Sequence, residues 1–297
     1  MNAFEYFQPK TAKEAAQLLK KYPDAMILAG GTDLLVRMKV RVYQPSVVID
    51  IKHLPKAGEI NFSPKSGLTM GPAVSVRNAE QSVSVLERYP ALAQGARFIG
   101  SVQIRNRATI IGNICNAAPS ADTAPGVIVH GGKVNIVGPT GRRSMLVENF
   151  ITGPGKRDLK RGEFVANIKI PTPPARTGSA YVRHTPRVAM DIAVVGVGAS
   201  VTLVPRHNVC SEVKIVLGAV APVPLRATAA ESILRGQELT PALIDQAAEA
   251  AEAEAKPITD IRASEEFRRD LVRVLTQRMV SAAADNARTP IANRRAA

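Results

Sequence analysis

The chain has 297 residues, 45% of them hydrophobic and 22% charged, with a mean hydropathy near zero, which is typical of a globular protein with about two or three domains. It has no run of about 18 uncharged apolar residues, so we expect no membrane span, and its two cysteines are too few and too far apart for a disulfide framework or a metal cluster. The net charge of +14 suggests nucleic-acid binding, but the cations are dispersed, without interleaved aromatic residues or a known binding signature. We therefore expect a cytoplasmic protein that binds no nucleic acid, with a basic surface that faces an acidic partner or a phosphate-bearing ligand.

The N-terminal part of the chain predicts α/β units. Residues 11–21 carry a helical apolar stripe, with Thr11 as the N-cap and Glu14 completing a capping box. Short apolar runs that follow predict strands, and a longer segment that ends at a proline predicts a helix. The predicted strands are 24–28, 45–51 and 67–71, and the predicted helix is 74–90.

The rest of the chain predicts further strands, a linker and a C-terminal α+β domain. "IPTPPARTG" at 170–178 is rich in proline and glycine, which is typical of a linker. Two helices close the domain, and the second, from Ser264, carries a stripe of Phe267, Leu271, Val274, Leu275, Arg278 and Ala282. Paired strands are predicted over 133–147 and over 191–220, a single strand over 162–171, and the first helix after Thr240 with Pro241 at its first position.

Standard catalytic motifs are absent. There is no G-x-G-x-x-G after a strand, and no Walker A, HExxH or GxSxG motif. The four histidines are scattered, without the spacing of metal ligands. We therefore assign no catalytic acid or base and no metal site to this chain.

The first candidate binding segment is "LAGGTDLL" at 28–35, directly after a predicted strand. Gly30 and Gly31 allow positive φ and bring backbone N–H groups close to a ligand, so the segment suits an anion such as a pyrophosphate. An ordinary strand–turn–helix, in which Thr32 and Asp33 cap the helix from Leu34, explains the same residues.

The second candidate segment is "TIIGNICNAAPSAD" at 109–122. Gly112, Asn113 and the small side chains around them suit a backbone that lies against a flat ligand. Asp122 is placed to accept hydrogen bonds from hydroxyl groups, as acidic residues do in dinucleotide sites. A tightly packed turn between two domains is the alternative. Two such segments in one chain favour a two-sided dinucleotide clamp.

At these residues the sequence resembles the FAD-binding medium subunit of molybdenum hydroxylases, the carbon monoxide dehydrogenase and xanthine dehydrogenase family. The resemblance covers nearly the whole chain, including "GEFVANIKIP" and "AMDIAVVGVGAS". It implies an α+β (mixed α/β) fold, with a FAD-binding domain of the vanillyl-alcohol-oxidase (PCMH) type over 1–175, in subdomains at about 1–55 and 56–175. A C-terminal α+β domain with an antiparallel sheet and helices is expected over 176–286, followed by a flexible tail over 287–297.

The resemblance implies FAD contacts from both glycine-bearing segments and from three other regions. The two segments match the two pyrophosphate loops of the family, and Asp122 matches an aspartate that contacts FAD. Ile99 and Val165 take the place of apolar residues near the flavin. Arg183, counted back eight positions from Asp191, aligns with a basic residue near the isoalloxazine. The implied cofactor-binding residues are Leu28, Ala29, Gly30, Gly31, Thr32, Asp33, Leu34, Ile99, Thr109, Gly112, Asn113, Asp122, Val165 and Arg183.

The chain departs from the family pattern at Ile111, where the family has the first of two adjacent glycines. If this backbone needed a positive φ, the β-branched Ile111 would be strained there. We expect that Ile111 points away from the ligand and that its N–H still serves. "NAAPSADTAPG" then continues without a cysteine-rich insertion, so no iron–sulfur cluster is expected in this chain.

By resemblance, the chain is the FAD-binding electron-transfer subunit of a heterotrimeric molybdenum hydroxylase. The expected partners are a large subunit with the molybdopterin cofactor and a small subunit with [2Fe–2S] clusters, assembled as a dimer of heterotrimers. The FAD of this chain then passes electrons to an external acceptor, and the complex is cytoplasmic or membrane-associated through its other subunits. Two other interpretations are a stand-alone flavin oxidase and a non-catalytic assembly protein that has kept the fold.

Overall fold

The first 50 residues fold around a three-stranded parallel sheet. The computed structural model describes residues 1–188 and 190–291. The strand order is β1–β3–β2, with β3 in the middle and parallel to both others, so the first crossover passes from one edge strand to the other and the second returns to the centre. The Thr11 hydroxyl accepts a hydrogen bond from the Glu14 N–H at 3.1 Å, so the predicted N-cap is confirmed. The elements are β1 (Glu5–Phe7), α1 (Ala12–Lys21), β2 (Met26–Leu28), α2 (Leu34–Lys39) and β3 (Val47–Asp50).

The second unit contains a five-stranded antiparallel sheet in the order β4–β5–β10–β6–β7. The predicted α/β pattern is wrong here, because every strand pair in this sheet is antiparallel. Strands β4 and β5 form one hairpin, β6 and β7 form another, and β10 lies between β5 and β6. Most of the helices lie between β5 and β6. The elements are β4 (Ile60–Ser63), β5 (Gly67–Met70), α3 (Val76–Gln81), α4 (Val83–Arg88), α5 (Pro90–Arg97), α6 (Val102–Arg105), α7 (Ile110–Asn116), α8 (Thr123–Val129), β6 (Lys133–Gly138), β7 (Gly141–Leu146), α9 (Val147–Phe150), β8 (Ile151–Gly153), β9 (Lys156–Arg157) and β10 (Phe164–Ile170).

The helix predicted over 74–90 is two short helices, α3 and α4. They are separated at Ser82, whose φ of −66° and ψ of 121° are extended. Pro90 begins the next helix, α5, instead of ending the previous one. Proline suits a first helical position because its missing N–H has no partner there in any case.

The C-terminal unit is a four-stranded antiparallel sheet, β11–β12–β13–β14, covered by helices. The predicted hairpin is confirmed as β12 and β13, with a bulge beside Leu203. Gly178 lies against the longest helix, since a Cβ there would be 2.2 Å from the carbonyl oxygen of Ala283. The elements are β11 (Thr177–His184), β12 (Val195–Leu203), β13 (Cys210–Gly218), β14 (Leu225–Arg226), α10 (Thr228–Leu234), α11 (Pro241–Glu254) and α12 (Glu265–Arg288).

Helix α12 differs from its prediction in two ways. Phe267 and Val274 of the predicted stripe are exposed, whereas Arg268, Val272 and Thr276 are buried. The helix also continues through Arg288, with Ala287 buried, although the tail was predicted to begin at 287. The last six residues of the predicted tail, 292–297, lie outside the described residues.

The second and C-terminal units pack against each other through α5 and α8. Tyr181 on β11 and Val216 on β13 belong to the same apolar core as these helices. Pro125 of α8 lies against Gly198, where a Cβ would be 3.0 Å from the proline ring. Across the residues that the structure describes, no helix is long and apolar enough to cross a membrane.

Candidate functional site

A cleft of about 580 Å³ opens between the first unit and the second. This volume is in the usual range for a small-molecule or cofactor site. Both glycine-bearing segments line the cleft, together with one residue before α6 and one from β10. The predicted site residues that line it are Ala29, Gly30, Gly31, Thr32, Asp33, Leu34, Ile99, Thr109, Gly112, Asn113 and Val165.

The first loop is held close to the backbone on the other side of the cleft. A Cβ on Gly30 would lie 2.1 Å from the carbonyl oxygen of Arg107 and 2.9 Å from the Cα of Ala108. Gly31 has a φ of +75°, and its carbonyl accepts the N–H of Leu35 at 3.0 Å where α2 begins. Glycine is therefore needed at Gly30 because two backbone segments approach closely there, and at Gly31 because the backbone is left-handed.

Asp33 does not cap α2 with its side chain, so that part of the prediction is wrong. Its Oδ1 accepts a hydrogen bond at 3.3 Å from Nδ2 of Asn116 instead, which joins the two segments across the cleft. Among the hydrogen bonds of residues 1–188 and 190–291, none uses the N–H of Gly31, Thr32 or Asp33. Adjacent N–H groups without a protein acceptor bind water or a ligand, and they suit an anion.

The first half of the second segment forms the helix α7, and residues 117–122 form the turn that follows it. Thr109 is the N-cap of α7, and its Oγ1 accepts the Gly112 N–H at 2.9 Å. The residue directly before the segment is held against the start of α3, because the Val76 N–H donates to the Ala108 carbonyl at 2.8 Å. Asn113 accepts a hydrogen bond at 2.5 Å from the Thr123 hydroxyl, which ties α7 to α8.

Ile111 fits this helix without strain. It lies in the first turn of α7, and the left-handed residue of the segment is Ala117 at its C-cap, with a φ of +50°. Ile111 is 5% exposed and belongs to the apolar core of the second unit, while part of it lines the cleft. The expectation that it points away from the cleft is therefore only partly met.

Asp122 and Arg183 form a buried ion pair. Nη1 of Arg183 donates to Asp122 Oδ2 at 2.6 Å, and the Tyr181 hydroxyl donates to Asp122 Oδ1 at 2.8 Å. Burial raises the pKa of Asp122 to about 6, and the Arg183 charge and the two hydrogen bonds lower it less than burial raises it. Burial also raises the pKa of Tyr181 well above its usual value.

This ion pair lies beside the cleft and not on its lining, and the same holds for Leu28. Thr123, next to Asp122, bonds to Asn113 of the cleft, and the Arg183 guanidinium lies 5.2 Å from the Phe98 ring, next to Ile99. Within the described chain, Nε and Nη2 of Arg183 are buried and have no hydrogen-bond partner. Buried donors of this kind are rare and call for a ligand or water.

Sequence reasoning missed several residues of the cleft. Arg37, Arg157 and Lys160 bring positive charge to its lining, although the cations of 155–163 were interpreted only as dispersed charge. Cys115 also lines the cleft, and burial raises the pKa of its thiol to about 12, so a reactive thiolate is not favoured. A glycine-and-proline turn followed by cations, "GPGKRDLK", was the available signal.

Two family descriptions match almost the whole chain. Residues 2–173 match the FAD binding domain in molybdopterin dehydrogenase, and residues 180–283 match the CO dehydrogenase flavoprotein C-terminal domain. The chain is 32% identical to the putative xanthine dehydrogenase FAD-binding subunit of Escherichia coli strain K12, over 94% of this chain and 95% of that protein. It is 33% identical to the carbon monoxide dehydrogenase medium chain of Hydrogenophaga pseudoflava, over 94% and 96% of the two chains.

Solved structures agree with these sequence matches. A chain of carbon monoxide dehydrogenase from Hydrogenophaga pseudoflava superposes with a TM-score of 0.90 at 32% identity, covering 96% of this chain and 98% of that one. A chain of quinoline 2-oxidoreductase from Pseudomonas putida 86 superposes with a TM-score of 0.89 at 28% identity, covering 97% and 99%.

Proposed function

Since the chain belongs to the family of FAD-binding medium subunits of molybdenum hydroxylases, we propose that it serves the electron-transfer step of such an enzyme, between [2Fe–2S] clusters on a small subunit and an external acceptor. It is an oxidoreductase subunit that binds FAD. The observation that carries the proposal is the cleft between two glycine-bearing segments. On one side it has backbone donors that no acceptor of the described residues uses, and on the other a capped helix.

The residues of the cleft fit FAD. The N–H groups of Gly31, Thr32 and Asp33 suit the diphosphate, which needs several donors at close range. Ile99 and Val165 offer apolar surface to the flavin ring. When bound, FAD supplies the redox chemistry, and this chain supplies orientation and electrostatics.

The Asp122–Arg183 pair is proposed as the polar part of the same site. Nε and Nη2 of Arg183 have no hydrogen-bond partner among the described residues, and the guanidinium lies against Phe98, so these two donors would hold a ring acceptor of the cofactor. Asp122 holds the guanidinium in place with a hydrogen bond of 2.6 Å. Leu28, at the end of β2, positions the first loop without lining the cleft.

The proposed assembly contains a large molybdopterin-binding subunit and a small [2Fe–2S] subunit, as a dimer of heterotrimers. The relatives' names support a multi-subunit enzyme, since they describe a medium chain and an FAD-binding subunit. The carbon monoxide dehydrogenase of Hydrogenophaga pseudoflava was solved in a form that lacks the Mo-pyranopterin moiety of the molybdenum cofactor. The complete cofactor of that relative therefore includes a Mo-pyranopterin moiety. We place the complex in the cytoplasm, in keeping with two free cysteines.

The flavin content of the purified complex tests the proposal. The complex is expected to show a flavin absorption spectrum and to release FAD, with about one FAD for each copy of this chain, as a single site requires. In rapid mixing with substrate, reduction of the [2Fe–2S] clusters is expected to precede reduction of the flavin. A flavin-free complex with full turnover contradicts the proposal and favours an assembly protein, and substrate turnover by this chain alone favours a stand-alone flavin oxidase.

A further inference from the structure

Arg183 and Asp122 are joined by one hydrogen bond, although an arginine and a carboxylate frequently form two. Nη1 of Arg183 donates to Oδ2 of Asp122, while Nε and Nη2 have no hydrogen-bond partner among the described residues. The planar guanidinium can place two N–H groups side by side on the two oxygens of a carboxylate, which satisfies more donors and is stronger. A feature of the site therefore keeps this pair in its single form.

Arg143 and Arg226 form the forked pair elsewhere in the chain. Arg143 donates through Nε and Nη2 to the two carboxylate oxygens of Glu163, at 3.0 and 2.7 Å. Arg226 donates through the same two nitrogens to both oxygens of Glu231. The side chains of Arg143 and Arg226 are 29% and 24% exposed, whereas that of Arg183 is 3% exposed. Unused donors cost most where water is excluded, so the single bond at Arg183 needs a cause.

The hydroxyl of Tyr181 is that cause. It donates to Oδ1 of Asp122 at 2.8 Å, so the carboxylate faces the tyrosine with one oxygen and the arginine with the other. Burial raises the pKa of this hydroxyl well above its usual value, so the group stays protonated and donates. Without the hydroxyl, Oδ1 would lose its hydrogen bond inside the protein, and the carboxylate would gain by turning both oxygens toward Arg183.

The surrounding chain makes room for this hydroxyl and holds the residue that carries it. Gly196 on β12 lies opposite Arg183 in the sheet, and a Cβ there would be 2.6 Å from the Tyr181 hydroxyl oxygen. The Tyr181 N–H donates to Oε1 of Gln94 on α5 at 2.7 Å. Tyr181 is not part of the cleft lining, so it acts on the cleft through its neighbours.

We propose that Tyr181 is a positioning residue, whose hydroxyl keeps the Asp122–Arg183 pair singly bonded and so leaves Nε and Nη2 of Arg183 to donate to a ring acceptor of the cofactor. The inference rests on the proposed function, because these donors serve the cofactor only if FAD binds beside them. A cation with two donors near the ring favours the reduced flavin, which carries more negative charge. Tyr181 therefore raises both the affinity for FAD and the reduction potential of the bound flavin.

Tyr89 provides a matched control. Its side chain is completely buried, and its hydroxyl also donates one hydrogen bond, to the Pro171 carbonyl at 3.1 Å. Tyr89 does not line the cleft either. Tyr181→Phe and Tyr89→Phe therefore each remove one buried hydroxyl, and the first removes it from Asp122. Gly196→Ala is a second test, because its methyl group displaces the Tyr181 hydroxyl without removing it.

The test measures FAD affinity on the flavin-free full chain and the flavin potential on the purified complex. Tyr181→Phe is expected to lower the affinity at least about tenfold, as loss of hydrogen bonds from a charged group does. The midpoint potential of the bound flavin is expected to fall by about 30 mV, which for a two-electron couple is a tenfold loss of preference for the reduced form. Gly196→Ala is expected to change both quantities in the same direction, and Tyr89→Phe is expected to change neither.

A crystal structure of the flavin-free Tyr181→Phe chain tests the cause directly. It is expected to show both oxygens of Asp122 on the Arg183 guanidinium, and a pair that is still singly bonded overturns the inference. Wild-type affinity and potential in both Tyr181→Phe and Gly196→Ala overturn it as well, and so does an equal change in Tyr89→Phe. A wild-type complex without flavin contradicts the proposed function instead, and the flavin content shows this before any variant is compared.

Discussion

The two glycine-bearing segments of the cleft look alike in sequence and differ in structure. In the first loop, Gly30 is required by the chain itself, because any side chain there meets the carbonyl oxygen of Arg107. In the second, Gly112 is an ordinary helical residue, and a Cβ would meet only the Thr109 hydroxyl, at 2.8 Å. The glycine of the first segment therefore has a structural role, whereas the glycine of the second lies on the lining of the cleft where we propose that FAD binds.

The difference follows from how each segment is held. The first loop is pressed against the residues between α6 and α7, so its position depends on a backbone contact between two units. The second segment has its own N-cap and core-facing residues, so its conformation is local. Substitutions whose effects on folding and on FAD binding are measured separately test this distinction.

Gly30→Val is expected to have the largest effect. The new side chain meets backbone atoms that cannot move without separating the first unit from the second. We expect the flavin-free chain to lose more than about 4 kcal/mol of unfolding free energy, which exceeds the usual overpacking cost of about 1–3 kcal/mol because backbone atoms are displaced. Denaturant unfolding without FAD measures the loss.

Gly58→Val is the control for that experiment. Gly58 is exposed, and a Cβ there meets no atom within 4 Å. Its unfolding midpoint is expected to stay near that of the wild type, within about 0.5 kcal/mol. If Gly30→Val unfolds at the same denaturant concentration as the control, the first loop is not held by this backbone contact.

Ile111→Gly is expected to have an intermediate effect on stability. It restores the glycine of the family pattern, yet it removes a side chain that is 5% exposed and packed in the core of the second unit. Lost burial and the low helix propensity of glycine together cost roughly 3 kcal/mol. FAD affinity is expected to stay within about threefold of the wild type, because the helical N–H groups are unchanged.

Denaturant unfolding and a flavin titration measure the two quantities for Ile111→Gly. A variant that is as stable as the wild type and binds FAD more tightly would mean that Ile111 obstructs the site. In that case the conformation of the second segment would not depend on its own core-facing residues, and the distinction between the two segments would fail.

Local patterns in the sequence predicted the parts of the fold that depend on neighbours in the chain. The cap at Thr11, the β12–β13 hairpin and the two cleft segments are of this kind. The pairing of β5 with β10 joins strands about a hundred residues apart, and no short pattern encodes it. The interpretation of 67–71 as part of an α/β unit was wrong for this reason.

Buried charges were the other limit of the sequence. Arg268 faces the core of the C-terminal unit, where it donates to the Val194 carbonyl at 2.7 Å and pairs with Asp260. The apolar stripe drawn without it was correct at Leu275 but included the exposed Phe267 and Val274. Asp122 and Arg183 were identified separately by resemblance, but their mutual bond was not. Hydrophobic patterns treat charged residues as exposed, and paired charges break that assumption.

Gly112→Ala is expected to have the smallest effect on stability and a clear effect on FAD. Alanine stabilises the helix by about 1 kcal/mol relative to glycine, and displacement of the Thr109 hydroxyl from its capping position costs a similar amount. The unfolding free energy is therefore expected to stay within about 1 kcal/mol of the wild type. The added methyl group lies on the cleft lining and occupies space that the cofactor needs, so we expect FAD affinity to fall at least about tenfold.

Flavin fluorescence titration of the flavin-free chain and its denaturant unfolding give both numbers on one preparation. A stability loss as large as that of Gly30→Val, or unchanged FAD affinity, would remove the separation between a glycine needed by the chain and a glycine needed by the ligand.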